Sequence, residues 1–352
     1  MKQTVKICKP NKLKDSLKTV SSSDLVILIA PSGIFDQSVN ELNNVIPNVP
    51  NIGVCGQGYS QLEDHPEDIM LISFNDCSAI VDVIPDVSRP ILSTESIIKH
   101  VNNIKSNKNN TVCLDFTTGN DSVIVTTFNA CLNEKNIPLI GATAWDNKVS
   151  CNGIIYNNAC VYSFITNKTG IIKPYKETIY TIDKDMPTFI ATKIDEESQK
   201  IITLDNKNAA SVYQDALNIK ENAIETQTFQ NPIGRLVGDD VFIISVKSKH
   251  SDGSLECYKR ANHMDSLTIL QPGDYKAIIS DTVSKIKTDV PNLNGVFSIN
   301  CILRYMMFQN IHYFDDYLKT MNQLGTHVGL VGCGEHFKTQ HVNQTMTCFA
   351  FN

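Results

Sequence analysis

Seven residues near the end of this 352-residue chain carry most of its chemical potential. They are Asn300, Cys301 and Arg304 in one segment, Glu335 and His336 in a second, and Asn343 and Gln344 in a third. Apolar runs flank all three, so burial is expected and each charge needs a partner. Arg304, whose planar fork suits bidentate recognition, can close on Glu335 or on the carboxylate of a bound ligand. Asn300, Asn343 and Gln344 can hydrogen-bond the same ligand or satisfy backbone groups. Cys55 and Cys333 fall in glycine-rich stretches, where amide dipoles can lower a thiol pKa and create a nucleophile. His336 follows Cys333 by three, but no third group in the sequence orients it as a base. His336 and His341, five apart, do not share a helix face, so a two-histidine helical metal site is not expected. Either one alone can serve as an axial haem ligand in an apolar pocket. With no serine elbow, no H-E-x-x-H and no paired catalytic carboxylates, the chain does not read as an enzyme.

A pattern that occurs three times must position these groups. Its copies are Asn51-Ile52-Gly53-Val54-Cys55-Gly56, Leu139-Ile140-Gly141-Ala142-Thr143-Ala144 and His327-Val328-Gly329-Leu330-Val331-Gly332. Each is an apolar residue, a glycine, two residues, and then Gly or Ala. Before each lies a helix-competent run, and before that an apolar run suited to a strand, so a strand–helix–strand unit recurs. Read as strand-end turns, the copies make Gly53, Gly56, Gly141, Gly332 and Gly334 places where bare amides can hold an anion or carboxylate, or where small residues only permit close packing. Asp146, just past the second copy, can cap a helix or bind an amine. None of the copies is a Walker sequence or a complete G-x-G-x-x-G opening a helix, so nucleotide binding is not indicated.

The first unit reads as the strand Asp24 to Ala30 and a helix from Asp36 to Ile46. The second reads as the strand Thr111 to Phe116 and a helix from Ser122 to Asn133, followed by a hairpin turning at Asn157-Asn158. The third reads as the strand Gly295 to Cys301 and a helix from Phe314 to Leu324 with Phe314, Tyr317, Leu318 and Met321 on one face. Strands alternating with helices predict an α/β (mixed α+β) fold of repeated strand–helix–strand units with mixed sheets, in two related domains spanning 1–185 and 186–352.

Composition narrows the function. Hydrophobic residues are 42% and charged residues 19%, which excludes a disordered chain. The net charge of −6, with no basic stripe, argues against nucleic acid. No stretch approaches the roughly 20 apolar residues of a membrane span, and the first residues lack a secretory apolar core. The 11 cysteines, scattered and never C-x-x-C, read as reduced buried thiols in a cytoplasmic protein without a zinc site.

The C-terminal half resembles the FIST C domain. The resemblance rests on Leu204-Asp205-Asn206-Lys207-Asn208-Ala209-Ala210-Ser211-Val212-Tyr213, Pro232-Ile233-Gly234, Asp252-Gly253, Phe297-Ser298-Ile299-Asn300-Cys301-Ile302-Leu303-Arg304, Gly332-Cys333-Gly334-Glu335 and Asn343-Gln344-Thr345. The N-terminal half resembles the FIST N domain through Ile52-Gly53-Val54-Cys55-Gly56 and Gly141-Ala142-Thr143-Ala144-Trp145-Asp146. The resemblance implies a non-enzymatic sensory module of signal transduction that binds a small ligand such as an amino acid. It also implies a bacterial setting, with a separate partner such as a histidine kinase, a chemoreceptor or a cyclic-di-nucleotide enzyme. The related haem-binding nitric oxide sensors make haem the alternative ligand, and a cysteine-dependent enzyme is a second alternative. The residues placed nearest the ligand are those around the third glycine motif.

Overall fold

The computed structural model describes residues 1–104, 109–238 and 240–352. Its three repeated units are built alike. Leu25–Ala30 is followed by the helix Ser32–Val45 and Asn51–Cys55. Thr111–Thr117 is followed by the helix Asp121–Leu132 and Leu139–Thr143. Gly295–Cys301 is followed by the helices Ile302–Asn310 and Phe314–Met321 and then His327–Gly332. In each unit the two strands pair in parallel, as crossover through a helix requires. Each first strand pairs on its other side with an antiparallel return strand, Ile69–Asn75, Cys160–Asn167 or Thr345–Phe351. Sheets one, two and three are therefore mixed, as the sequence leads one to expect.

Along these strands the residues alternate between two apolar layers. Ile27 and Ile29 join a core shared with Phe116, Ile140, Phe297 and Leu330 of the other two sheets, while Val26, Leu28 and Ala30 pack under the first helix. Strands buried on both faces read as unbroken apolar runs, which is why the first strand was legible from sequence. Three sheets thus share one inner core, and their helices lie outside.

Each unit gives its next hairpin away. Gln57–Ser60 and Glu63–His65 follow the first unit and pair onto His327–Gly332 of sheet three. Val149–Cys151 and Ile154–Tyr156 follow the second and pair onto Asn51–Cys55 of sheet one. Glu335–Phe337 and Gln340–Val342 follow the third and pair onto Leu139–Thr143 of sheet two. The exchange is cyclic and covers one edge of every sheet with a strand from another unit.

Two expectations change here. The glycine motifs are interior strands, not turns, and only their last small residue lies where the chain crosses to the next sheet. There a Cβ on Gly56 would stand 2.8 Å from Leu330, and one on Gly332 would stand 3.0 Å from Ala142. The hairpin at Asn157-Asn158 does not form, because Ile154–Tyr156 turns back at Asn152-Gly153, both at positive φ, onto Val149–Cys151. Cys160–Asn167 belongs to sheet two.

Between units two and three the chain builds a fourth, nine-stranded antiparallel sheet that includes Thr188–Asp195, Ile233–Val237, Asp240–Ile243 and Ser266–Pro272, with the helix Ala209–Leu217 on it. Its own core holds Ile201, Leu204, Tyr213, Leu255 and Leu267.

Candidate functional site

The site begins at the notch made by Gly141. This glycine faces Asp115 on one neighbouring strand and His336 on the other. A Cβ there would fall on the Asp115 carboxylate. Without one, Asp115 Oδ2 lies 2.8 Å from His336 Nδ1, and His336 Nε2 lies 3.0 Å from Asp121 Oδ1. Asp121 is the first residue of the helix Asp121–Leu132 and also accepts from Thr143 Oγ1. Burial opposes a charge on His336, but Asp115 and Asp121 outweigh it and hold the imidazole up to about 10. Burial raises Asp115. Against its own burial, Asp121 is held well below the carboxylate range by His336, His341 and Thr143. An imidazolium flanked by two carboxylates thus fixes the hairpin 335–342 to sheet two and to the start of a helix.

Beside this triad opens a cleft of about 640 Å3. Asn120, Asp121 and Ser122 at the helix start form one wall, Arg235 and Phe242 of the fourth sheet with Lys259 of the loop after the strand Leu255–Cys257 form another, and Gln340 and His341 come from the exchanged hairpin. Lys259 also borders a smaller cavity of about 40 Å3 with His341, Asn343 and Thr345, reaching the surface at Lys176 and Thr178. Its Nζ donates to the His341 carbonyl. Burial pulls this amine down to about 7, against the upward pull of Glu335 and Asp121. Glu335 is fully buried; its Oε2 accepts from Thr345 Oγ1 at 3.0 Å, and its Oε1 has no partner among the described residues. Burial raises it to about 7, with Cys301 and Lys259 pulling it back. The Cys301 thiol donates to Asn343 Oδ1 at 3.4 Å, leaving the Asn343 amide nitrogen without a partner among the described residues. The result is a charged cleft backed by a buried acid, an amide and an amine of lowered basicity.

The third glycine motif therefore brings together Cys301, Gly334, Glu335, Asn343, His336 and His341. A Cβ on Gly334 would meet Thr143 and His341 at 2.8 and 2.9 Å, so the glycine lets the hairpin close over the triad. Gln344 turns away and donates to the Thr228 carbonyl at 2.9 Å. Arg304 does not reach Glu335. It pairs with Glu177, which the sequence reading missed, and donates to Asn300 Oδ1 at 3.0 Å. Its guanidinium is completely buried between the rings of Phe308 and Tyr317, 4.9 and 5.2 Å from their centres. Burial of a charge demands a strong partner, and the edge strand Ile172–Thr178 supplies the nearest one.

The remaining candidates lie elsewhere. Gly53 leaves room for the Ser150 hydroxyl, and Gly56 and Gly332 sit at the crossings between sheets. Asp146, at φ 48°, accepts from Ser32 Oγ at the start of the first helix. The thiols are not activated: burial with Asp146 drives Cys55 up to about 11, and burial with Glu335 drives Cys333 up to about 12. Burial is the larger cause in both, and the carboxylates add to it. As a haem ligand His336 does not fit, since both ring nitrogens are engaged by carboxylates. His341 Nε2 faces Asp121 at 3.8 Å. Among the described residues no three His, Cys, Asp or Glu side chains converge as a metal site, and no helix is long and apolar enough to cross a membrane.

Asp115 and Asp121 had a signal in the sequence: one is a lone acid inside an apolar strand, and the other follows Gly119-Asn120 at a helix start. Lys259 had none. Residues 24–207 match the family model described as FIST N domain, and residues 209–338 match the one described as FIST C domain. No curated protein matches the chain.

Proposed function

The chain belongs to the FIST family, whose domains are associated with sensory signal transduction, and from that premise we propose that it binds a small polar metabolite, without converting it, in the cleft bordered by Asp121 and Lys259. The observation that carries this reading is the make-up of that cleft. An acid held ionised and an amine of lowered basicity come to it from the two family-matched segments, one from residues 24–207 and one from 209–338. A carboxylate would be received by Lys259 and Arg235, and an ammonium by Asp121, which makes amino acids the first class to test. Binding would draw a helix start, the exchanged hairpin and the fourth sheet together, and a separate signalling partner could read that closure.

The test is thermal stabilisation of the full chain across the amino acids and related small acids, with Lys259→Met and Asp121→Asn beside the wild type. A ligand that raises Tm in the wild type and not in the folded variants supports the cleft. Equal stabilisation of all three proteins would place the ligand elsewhere.

A further inference from the structure

Lys259 is surrounded in a way that suits more than ion pairing. Among the described residues Lys259 forms no ion pair, and its hydrogen bond goes to the His341 carbonyl. The same side chain borders both the open cleft and the smaller cavity. Arg235 lines the cleft too, its guanidinium 5.5 Å from the centre of the Phe242 ring; its Nη1 lies 3.5 Å from Asp265 Oδ2, and its Nε has no hydrogen-bond partner among the described residues. An amine beside a desolvated wall, with a guanidinium donor left over nearby, matches a ligand that has an electrophilic carbon next to a carboxylate.

We propose that Lys259 captures a small 2-oxo acid as a reversible imine, with the ligand's carboxylate held by Arg235. This rests on the reading of the cleft as the ligand site and names a ligand class for it. The neutral amine attacks the carbonyl carbon and forms the C–N bond. The nitrogen gives up both its protons as the carbonyl oxygen gains two and departs as one water, so no electrons are exchanged with any other species. Burial supplies the neutral amine at neutral pH, with the Lys176 ammonium adding to the effect. The smaller cavity has room for about two waters, which can carry protons from Nζ to Thr345, whose hydroxyl donates to Glu335 behind it. Glu335, raised to about 7, can both give and take a proton there.

Glyoxylate with sodium cyanoborohydride at neutral pH tests this on the wild-type chain, so no variant's folding enters. Reduction fixes the imine as a stable secondary amine, and peptide mass spectrometry gives the yield at each lysine. The expected result is labelling of Lys259 at least about tenfold above the exposed Lys2, because lowered basicity multiplies the free amine. Equal labelling of both, or none at Lys259, overturns the proposal. Glycine, which has no carbonyl, is added in parallel without reductant and read by thermal shift. Stabilisation by glycine with an unlabelled Lys259 would leave the cleft as a binding site and remove only the imine.

Discussion

Asp115 and His336, 221 residues apart in sequence, meet at 2.8 Å across the bare backbone of Gly141. The same relation recurs in sheet three, where Tyr59 and Ser298 meet at 2.8 Å across Gly329. In sheet one Leu28 and Ser150 face each other across Gly53. The repeated glycine is therefore a gap through which two neighbouring strands touch, and one of those strands always arrives by exchange. In sheet two the contact is ionic and leads directly to the cleft.

Gly141→Ala is expected to destabilise the chain by about 3 kcal/mol or more, since the new methyl falls on a buried carboxylate that cannot retreat. Gly33→Ala, in a helix with nothing within 4 Å of the added Cβ, should be neutral or gain up to about 1 kcal/mol. Urea unfolding of the two variants checks the contrast.

His336 sets a pH window. Its pKa rises from an ordinary 6.5 in the unfolded chain to about 10 in the fold, so the folded state keeps a proton that the unfolded state has released. That contribution is complete below pH 6.5 and is lost as pH climbs through about 10. Asp115→Asn should cost about 3–5 kcal/mol near neutrality and flatten the decline in stability from pH 7 to 10. Denaturation midpoints of wild type and variant across that range measure it.

Arg304→Ala strands Glu177 in the core and is expected to cost about 3–5 kcal/mol. Replacing both partners with apolar residues, Arg304→Met with Glu177→Leu, should recover much of the loss. The folded double variant should keep whatever ligand-induced rise in Tm the wild type shows, because neither residue lines the cleft.

For a carboxylate ligand held by ion pairing, affinity should fall as pH rises through about 7, where Lys259 loses its charge. Lys259→Met should weaken such a ligand by about tenfold and remove that pH dependence. Calorimetric titration at pH 6 and pH 8 gives both quantities.

Cys333 is exposed, yet its thiol is pushed up to about 12. Alkylation by iodoacetamide at pH 7.5 should run about a hundredfold slower than for free cysteine and keep rising with pH past 9. A fast phase that levels off below pH 8 would restore the nucleophile reading.

The legible part of this protein was its local order. Apolar runs such as Leu25–Ala30 and the helical spacing of Phe314, Tyr317, Leu318 and Met321 state which faces are buried. The spaced glycines marked a repeat, and the polar set around Glu335 anticipated that Cys301 and Asn343 lie close to it. Burial patterns are written residue by residue, so sequence alone determined the strand–helix–strand units, the mixed α/β class and the family. It could not say which strand lies beside which. A hairpin looks the same whether it pairs at home or on another sheet, so tertiary packing alone decided the cyclic exchange. The same holds for the partner of a buried charge. Arg304 required an acid, and the fold chose Glu177 over Glu335; it then brought Lys259, from a loop of the segment inserted between two repeats, near enough to the acid left behind for the two charges to feel each other.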